Sequence, residues 1–430
     1  MILTLKNLWT RRKQHVWLCV ELVLISVVSW FVIDPLFVEV YDVYVEPDGF
    51  DTSSLCCLRP MNDYNNAWAE PEPLERDLNV IKNKILAMDE VESLCFETSW
   101  FLFSDVYQHS YVSLPGDTTK SCYGAVNWVI DVDNDYFKTY GYKVIAGNPN
   151  EEEGAIITRS VAEKLYGKTD VCGATISIWN ASERRVEEYV DDKKIIAVIE
   201  DVKMGKSLNC RHSIFYRSKS RQFSAASVEC ILVRLKAGVD ADAFCERLRP
   251  TMQKELRSGK TYVGEVETLD HLVEQDFRHS GYTGYLRRQI SLAIFFMVNL
   301  CLGTVGTFWL QTRKRKEEIG IRRSFGASKR RIMREFLTEG LVLTAICHLL
   351  GCFLFFQYAY SYGLSTGIAI DEELLPYLRT GDSWLNHFAP HFLAVGIFIY
   401  LIILLTVSIG IAIPSWNIVR TKPVEALREE

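Results

Sequence analysis

Four long apolar stretches dominate the pattern of hydrophobic and polar positions along the chain. Each is about as long as the roughly 20-residue helix that crosses the apolar core of a bilayer. Within the apolar runs 16–33, 289–310, 336–362 and 392–414, the only Asp, Glu, Lys, Arg or His residues are Glu21 in the first run and Glu339 and His348 in the third. We therefore predict four transmembrane helices, at residues 16–37, 286–311, 336–362 and 389–414.

A second interpretation of the first stretch is a secretory signal peptide, because Arg11, Arg12 and Lys13 precede it. A signal peptide ends at a cleavage site of small residues of the A-x-A type. Here the chain continues with DPLFV, residues 34–38, which offers no such site. This continuation and the length of the apolar run favour an uncleaved helix.

Residues 38–285 separate the first and second stretches and contain no further run of this length. Runs rich in β-branched and aromatic residues predict strands, at residues 38–45, 128–132, 195–199 and 230–235. Helical spacing is found at residues 74–88, at 160–166 with Ser160 as N-cap, and at 241–256. We expect a loop at 62–73 and a stalk helix at 269–285. The predicted fold class is an α+β membrane protein in which one helix and then three helices flank a large mixed α+β domain.

Lys and Arg are concentrated in certain segments beside the predicted helices. Residues 1–15 hold four, residues 312–335 hold ten and residues 415–430 hold three, whereas residues 363–388 hold only Arg379. Cytoplasmic flanks are enriched in these residues. We therefore expect both termini and the 312–335 loop in the cytoplasm, with the 38–285 domain and the 363–388 loop on the other side.

The N-terminal segment before the first span has an apolar side of its own. Leu5, Leu8 and Trp9 have helical spacing and precede the basic residues 11–13. This pattern is typical of an amphipathic helix that lies in the membrane interface. We expect residues 1–15 to form such a helix and to act as an anchor on membrane lipids.

Composition excludes one class of protein, but it does not decide whether the cysteines form disulfides. The chain is 48% hydrophobic, which excludes a disordered protein. Eight of its twelve cysteines lie in the 38–285 domain, at positions 56, 57, 95, 122, 172, 210, 230 and 245. An even number in an oxidising compartment permits disulfides, but sequence alone fixes no pairing, and buried free thiols are the alternative. No C-x-x-C spacing is present, so we expect no metal site.

Three G-K-[ST] triplets invite comparison with nucleotide-binding loops, at residues 167–169, 205–207 and 259–261. A P-loop also needs a glycine five residues before the first of these, and Ala162, Glu200 and Lys254 occupy those positions. We interpret the triplets as turns. No other catalytic motif is recognisable, so we predict no catalytic residues, no cofactor, no nucleic-acid partner and no enzyme activity of the chain itself.

The basic loop at 312–335 carries the most informative pattern. Residues 317–325 fit a short helix that ends at Gly326, and Ser328 is expected to N-cap a helix that runs into the third span. Apolar side chains are interspersed among the charges. One interpretation is a segment that binds anionic lipid headgroups; the other is a docking helix for a cytoplasmic partner.

The order of residues in this loop resembles a family signature. Residues 318–330, EIGIRRSFGASKR, are similar to the signature of FtsX/MacB-type ABC transporter permeases, with Ser324 and Phe325 in place of Ala and of Leu or Ile. The tail, PSWNIVRTKPVEALRE at 414–429, looks like the closing segment of that family. Three segments of the inserted domain also resemble the MacB-type periplasmic core domain, namely VDNDYFKTYGYKVIAG at 132–147, GAIITRSVAEKLYG at 154–167 and IIAVIEDVK at 195–203. Residues 56–117 match no part of the pattern.

The resemblance implies an architecture and a set of partners. Two permease subunits would pair in a bacterial inner membrane, each docking on a cytoplasmic ABC ATPase. Because no Walker motif is present, we expect the ATPase on a separate chain. The docking residues implied by the signature are Glu318, Ile319, Gly320, Arg322, Arg323, Gly326 and Ala327. ATP hydrolysis would then drive the large domain mechanically, for efflux or extrusion through a periplasmic adaptor or outer-membrane channel.

Two other functions remain open at this point. The chain could be a regulator that transports nothing and activates a periplasmic partner such as a cell-wall hydrolase. A membrane-anchored binding protein without an ATPase is disfavoured by the basic loop and its signature.

Ionisable groups inside a span are costly and often functional. For Glu21 and Glu339 the alternatives are a coupling role and snorkelling towards the nearby cytoplasmic interface. For His348 they are a packed neutral imidazole and a proton relay. The many aromatic residues of the inserted domain, among them Trp68, Trp100, Tyr107, Trp128 and Tyr136, are expected to form its core rather than to line a substrate cavity.

Overall fold

The structure is a computed structural model. It describes residues 12–64, 71–97, 108–129, 135–151, 153–180, 190–203, 210–217, 225–279, 281–314, 321–322, 324–365 and 383–420. The chain divides into two compact units. The helical unit holds the described residues of 12–40, 285–365 and 384–420, and the globular unit holds those of 41–284 together with Ser383. The predicted amphipathic helix falls almost wholly outside the described residues.

Four long helices contribute to the helical unit: α1 Arg12–Tyr44, α8 Tyr282–Lys314, α9 Lys329–Tyr362 and α10 Phe388–Arg420. Each contains a stretch long and apolar enough to cross a membrane. Trp30 of α1 stacks on Phe355 of α9 and on Phe392 of α10, with both pairs of ring centroids 4.7 Å apart. The aromatic stack therefore joins the first, third and fourth helices.

The first helix corrects the prediction of a strand at residues 38–45. Residues 38–44 continue α1, which ends at Tyr44. Adding a residue to an existing helix gains a hydrogen bond at a small entropic cost, so the long apolar run before it outweighs the β-branched composition of this segment. Lys203 of the globular unit donates hydrogen bonds to the carbonyls of Asp42 and Glu46, at 2.7 and 2.6 Å, and so satisfies acceptors at the helix end.

One sheet of the globular unit has five strands, in the order β13-β14-β1-β12-β2. Their bounds are β1 Leu55–Asn62, β2 Val91–Glu97, β12 Cys230–Leu235, β13 Arg257–Ser258 and β14 Thr261–Thr268. All pairings are antiparallel. Helices α2 (Pro71–Leu86) and α5 (Ala241–Leu248) cover one face, where Leu78 and Phe244 join a buried apolar cluster.

The second sheet has seven strands, in the order β5-β8-β6-β11-β4-β3-β7. Their bounds are β3 Gln108–Leu114, β4 Asp117–Val129, β5 Val144–Gly147, β6 Gly154–Thr158, β7 Thr175–Asn180, β8 Val190–Ile199 and β11 Ser213–Arg217. Residues 190–194 of β8 pair with β7, and residues 195–199 pair with β6. Six of the strands therefore close into a ring, and β5 lies outside it along β8. Strands β9 (Val202–Lys203) and β10 (Cys210–Arg211) form a separate pair.

The short helix α3 (Tyr136–Tyr140) brings a cluster of aromatic side chains against both sheets. Tyr136, Tyr140 and Tyr142 are buried there. This placement supports the core interpretation for Tyr136. Trp68, Trp100 and Tyr107 lie outside the described residues, as does the side chain of Trp128.

Two predicted helices of the globular unit needed correction. The expected helix at 241–256 is two helices, α5 and α6 (Met252–Glu255), because Pro250 cannot supply the backbone donor that a continuous helix needs. The expected helix at 160–166 is α4, Arg159–Tyr166, whose N-cap is Thr158. Ser160 is therefore inside the helix, and its predicted capping role was wrong.

Other predicted elements are confirmed. The predicted strands 195–199 and 230–235 coincide with the end of β8 and with β12, and α2 corresponds to the predicted helix at 74–88. Of the predicted strand 128–132, residues 128–129 lie in β4 and residues 130–132 lie outside the described residues. The predicted stalk at 269–285 is a helix α7 (Leu269–His279) followed by the start of α8. Residues 167–169 begin with the left-handed C-cap Gly167, and residues 259–260 form the β13–β14 turn at Gly259, whose φ is +52°. Both triplets are turns, and residues 205–207 lie outside the described residues.

Candidate functional site

The basic loop forms a tight turn between two helical segments. Gly326 has φ +85°, a left-handed conformation that glycine adopts without strain. The backbone N–H of Ala327 donates to the carbonyl of Arg322 at 3.0 Å. Ser328 then caps α9, since its hydroxyl accepts from the N–H of Arg331 at 3.3 Å. The predicted glycine turn and serine cap are confirmed.

Charged side chains hold the turn against the first turns of α9. Arg322 bonds to Glu335 at 3.0 Å, and Arg331 bonds to the other oxygen of the same carboxylate at 3.4 Å. All three side chains are about half exposed or more. Exposed ion pairs of this kind add little stability, so they orient the turn more than they stabilise it.

The turn also exposes apolar side chains. Phe325 is 87% exposed and Ile321 is 50% exposed, while Ile332 is buried beside Ala327 and Phe336. A fixed turn with an exposed aromatic side chain among basic ones is suited to bind another protein. Of the predicted docking residues, Arg322, Gly326 and Ala327 lie on this turn, and Glu318, Ile319, Gly320 and Arg323 lie outside the described residues.

The ionisable residues predicted inside the spans have polar neighbours. Glu21 of α1 accepts a hydrogen bond from Thr307 of α8 at 2.9 Å. Glu339 is half-buried on α9. His348 lies 2.9 Å from Ser26 Oγ through Nδ1 and 3.1 Å from the carbonyl of Gly396 through Nε2. His348 is therefore a packed, hydrogen-bonded imidazole that joins α9 to α1 and α10.

Sequence reasoning missed two further contacts of α1. Asp34 is paired with His391 of α10 at 2.9 Å, with both side chains almost fully buried, and accepts from the N–H of Ser365 at 2.9 Å. Glu39 accepts from the hydroxyl of Tyr285 at 2.9 Å. In the sequence, the signal that could have predicted these contacts was the spacing of polar residues along α1, at positions 21, 26, 34 and 39. In this arrangement α1 carries a polar contact to each of the other three helices.

The globular unit contains a Ser, His and Asp arrangement that is not catalytic. Ser160 Oγ lies 2.9 Å from His212 Nδ1, but Asp201 accepts from the backbone N–H of Ser160 and has no role in orienting the imidazole. Burial, with a smaller effect of the Lys164 charge, lowers the pKa of His212 to about 3. So weak a base cannot activate a serine at neutral pH.

A carboxyl group is buried between the two sheets. Burial raises the pKa of Glu97 to about 8, and the polar hydroxyls of Tyr140 and Tyr136 oppose that rise. The group is therefore mostly neutral at pH 7. In the part of the chain that the structure describes, no group of three or more His, Cys, Asp or Glu side chains is placed to hold a metal ion.

Two of the eight cysteines in residues 38–285 are paired in the structure. Cys57 of β1 and Cys230 of β12 form a disulfide, with their Cα atoms 5.9 Å apart. That separation is within the range of protein disulfides.

Two family models match the sequence of this chain. The MacB-like periplasmic core domain matches residues 63–251, and the FtsX-like permease C-terminal domain matches residues 290–423. The first range falls in the globular unit, and the second covers α9 and α10 together with most of α8.

Curated relatives match over part of their length. The macrolide export ATP-binding/permease proteins MacB of Neisseria meningitidis and Neisseria gonorrhoeae are 22% identical over 249 residues, which is 55% of this chain. The matched part spans about a third of these relatives, 35% of their length.

Solved structures with weaker likeness include a domain of a putative permease from Porphyromonas gingivalis and the periplasmic region of MacB from Actinobacillus actinomycetemcomitans. Their identities are 16% and 11%, each with a TM-score of 0.30. They cover 51% and 54% of this chain, and 94% and 96% of their own chains. On its two matching domains and four apolar helices, the chain belongs to the FtsX/MacB-type permeases, with a MacB-like periplasmic core domain inserted between its first and second membrane helices.

Proposed function

We propose that the chain is the permease subunit of an ABC transporter and that its 312–335 loop docks on a separate cytoplasmic ATPase. ATP hydrolysis there would drive conformational change in the globular unit, for efflux or extrusion. The observation that carries the proposal is the turn at residues 321–328, which is fixed by Gly326 and Ser328 and exposes Phe325. A segment that only bound lipid headgroups would need basic charge, but no such fixed turn.

The orientation rests on charge. The ten Lys and Arg residues of the 312–335 loop favour the cytoplasm, together with both termini. The globular unit then lies in the periplasm of a bacterial inner-membrane protein.

A second permease subunit is part of the proposal. Helix α8 is almost unburied within one chain, with Phe295 and Leu302 each 67% exposed. Such a face suits lipid or a neighbouring transmembrane helix. Pairing would let two loops engage two ATPase subunits at once.

Charge reversal tests the docking. We expect Arg322→Glu with Arg323→Glu to abolish co-purification of the ATPase and its coupled ATP turnover, while membrane insertion stays intact. Glu335→Gln is the control for the ion pair alone, because it removes the partner of Arg322 and keeps both arginines. Unchanged co-purification and turnover in the double variant would refute the docking role.

Partner identification distinguishes transport from regulation. Mild cross-linking in native membranes, followed by affinity purification and mass spectrometry, should recover an ABC ATPase together with an adaptor or channel protein. Recovery of an ATPase with a cell-wall hydrolase would instead support the regulator. Absence of any ATPase would contradict both.

A further inference from the structure

Two adjacent cysteines on β1 point to opposite faces of the five-stranded sheet. Side chains of successive strand residues alternate between faces. Cys57 lies on the face that carries the aromatic cluster, and Cys56 lies on the face covered by helices α2 and α5. Because Cys57 bonds to Cys230, the same short segment can make a second, independent link on the other face.

Cys56 has a cysteine neighbour on that face. Its Sγ lies 3.5 Å from Sγ of Cys245, on helix α5. Cys56 is 0% exposed and Cys245 is 2% exposed. A disulfide needs a sulfur separation of about 2.05 Å, so small rotations of the two side chains, closing about 1.5 Å, would bring the sulfurs to bonding distance.

We propose that Cys56 and Cys245 form a second disulfide of the globular unit. The proposal rests on the periplasmic orientation proposed above, because that compartment supplies the oxidant. No other protein need be bound for the bond to persist.

The chemistry is a two-electron oxidation by thiol–disulfide exchange. The thiolate of Cys245 attacks one sulfur of a dithiol–disulfide oxidant, which releases the first oxidant thiolate and leaves a mixed disulfide. The thiolate of Cys56 then attacks Sγ of Cys245 and releases the second oxidant thiolate. Two protons leave the protein thiols, and the oxidant is reduced to its dithiol.

The order of the two thiols follows from their surroundings. The hydrogen bond with Cys56 lowers the pKa of Cys245, against the effect of burial, and the charge of Arg249 adds to the lowering. Cys245 is therefore the better nucleophile for the first step. Both sulfurs are buried in the folded unit, so the exchange proceeds through local opening of helix α5 from the sheet, which keeps Arg249 one turn from Cys245 and also admits a small oxidant.

The second bond constrains a different part of the chain from the first. Cys57–Cys230 already closes the long loop between the first and the last third of the unit. With that bond in place, Cys56–Cys245 closes only the segment from 230 to 245, which ties helix α5 to the sheet. A loop of this size stabilises mainly by restricting the unfolded chain.

Peptide mapping without reduction tests the bond directly. The full-length protein is purified from membranes with free thiols alkylated at lysis, and is then digested with trypsin. The two bonds would join three peptides, residues 14–76, 222–234 and 237–247, into one adduct. The variant C57A/C230A should retain an adduct of 14–76 with 237–247, and alkylated Cys56 and Cys245 in that variant would overturn the proposal.

Thermal unfolding gives a second measure. In the C57A/C230A background, Cys56–Cys245 closes a loop of 189 residues, so reductant should lower the Tm of the globular unit by roughly 10 °C, and adding C245A should abolish this sensitivity. Cys122→Ala is the matched control, since Cys122 is equally buried but lies in the other sheet, and it should leave the sensitivity unchanged. A Tm insensitive to reductant in C57A/C230A would overturn the bond.

Oxidation of purified protein distinguishes two reasons why the bond could be missing in cells. Either Cys56 and Cys245 cannot pair, or the globular unit does not lie in the periplasm. The reduced full-length C57A/C230A protein is treated with the small oxidant diamide. Formation of the adduct with diamide but not in cells would place the globular unit in a reducing compartment and overturn the proposed orientation. No adduct under either condition would overturn the pairing itself.

Discussion

The same hydrogen bond, between a serine hydroxyl and a buried histidine, occurs in both units of the protein. In the globular unit, Ser160 Oγ lies 2.9 Å from His212 Nδ1, and in the helical unit Ser26 Oγ lies 2.9 Å from His348 Nδ1. His212 is 5% exposed and His348 is 6% exposed. Atom types, distance and burial agree, so any difference in energetic value must come from the surroundings.

When the two hydrogen bonds break, their partners enter different surroundings, which are water in one case and the membrane interior in the other. Unfolding the globular unit exposes His212 to water, where it takes up a proton readily. Separating the membrane helices leaves Ser26 and His348 in an apolar medium, where each helix still offers backbone acceptors to its own side chains. We therefore expect the two serine–histidine pairs to contribute unequally to the free energy of unfolding, although their geometry is the same. The contribution should be larger, and dependent on pH, in the globular unit.

The largest expected effect is the response of the globular unit to acid. The pKa of His212 is about 3 in the folded protein and about 6.5 when exposed, so only its neutral form fits the fold. Its contribution is complete above pH 6.5 and is lost as the pH falls towards 3, at about 1.4 kcal/mol per pH unit. His212→Gln cannot titrate, and its unfolding free energy should gain about 3 kcal/mol relative to the wild type between pH 6.5 and 4.

Denaturant unfolding followed by tryptophan fluorescence at a series of pH values measures this difference. The exposed His279 offers a control of the same chemistry. If His279→Gln changed the acid slope as much as His212→Gln, burial of His212 would not be the cause.

The next largest effect is a loss of stability of the globular unit as the pH rises, which is opposite to the effect of His212. The pKa of Glu97 is about 8 in the folded protein and about 4.5 when exposed, so folding favours its protonated form. Its contribution is complete below pH 4.5 and is lost as the pH rises through 8. Glu97→Gln should therefore gain about 2 kcal/mol over the wild type between pH 6 and 7.5. Glu92→Gln, at an exposed position of the same strand, should show no such gain.

The two titrations oppose each other between pH 4.5 and 6.5. In the wild type their slopes cancel there, which leaves a plateau bounded by losses on both sides. Each single variant should remove one boundary of the plateau, and a wild-type curve that slopes through this window would show that one of the two groups is not buried as described.

A smaller effect is expected from removing the serine in the globular unit. Ser160→Ala leaves Nδ1 of buried His212 without this hydroxyl, at a cost of about 1–2 kcal/mol. The backbone N–H of Ser160 keeps its bond to Asp201, so helix α4 should remain in place. The free energy of unfolding at pH 7 measures the loss, and circular dichroism checks the helix content.

The smallest effect is expected from the matching change in the membrane. Ser26→Ala should lower stability by about 0.6 kcal/mol, the average value of hydrogen bonds between membrane helices. Unfolding in mixed micelles measures this value. A cost equal to that of Ser160→Ala would show that the unfolded reference state does not control the strength of the bond.

The sequence predicted the elements of this fold better than their limits. Long apolar runs identified the four spans, and short β-branched runs identified β8 and β12. The strand expected at 38–45 became helix because its start was already helical, which local composition does not record. The pairing of strands far apart in the chain, such as β1 with β12 and β14, has no signal in a single sequence.

The candidate site also has some residues that could be predicted from the sequence and some that could not. Gly326 and Ser328 were predictable because a left-handed turn and an N-cap each favour particular residue types. The pair of Asp34 and His391 was not, since 357 residues separate its members and nothing in a single sequence connects them. The docking roles of Glu318, Ile319, Gly320 and Arg323, and the coupling roles of Glu21 and Glu339, stay predictions.

The closed ring of the second sheet affects how these proteins can crowd together. A sheet edge offers unpaired backbone donors and acceptors to any neighbouring chain, and is a common starting point of aggregation. Closure leaves β5, four residues long, as the outer strand of that sheet among those described, and the five-stranded sheet has the two-residue β13 at one of its ends. Densely packed copies of the globular unit therefore present few strands long enough to recruit one another.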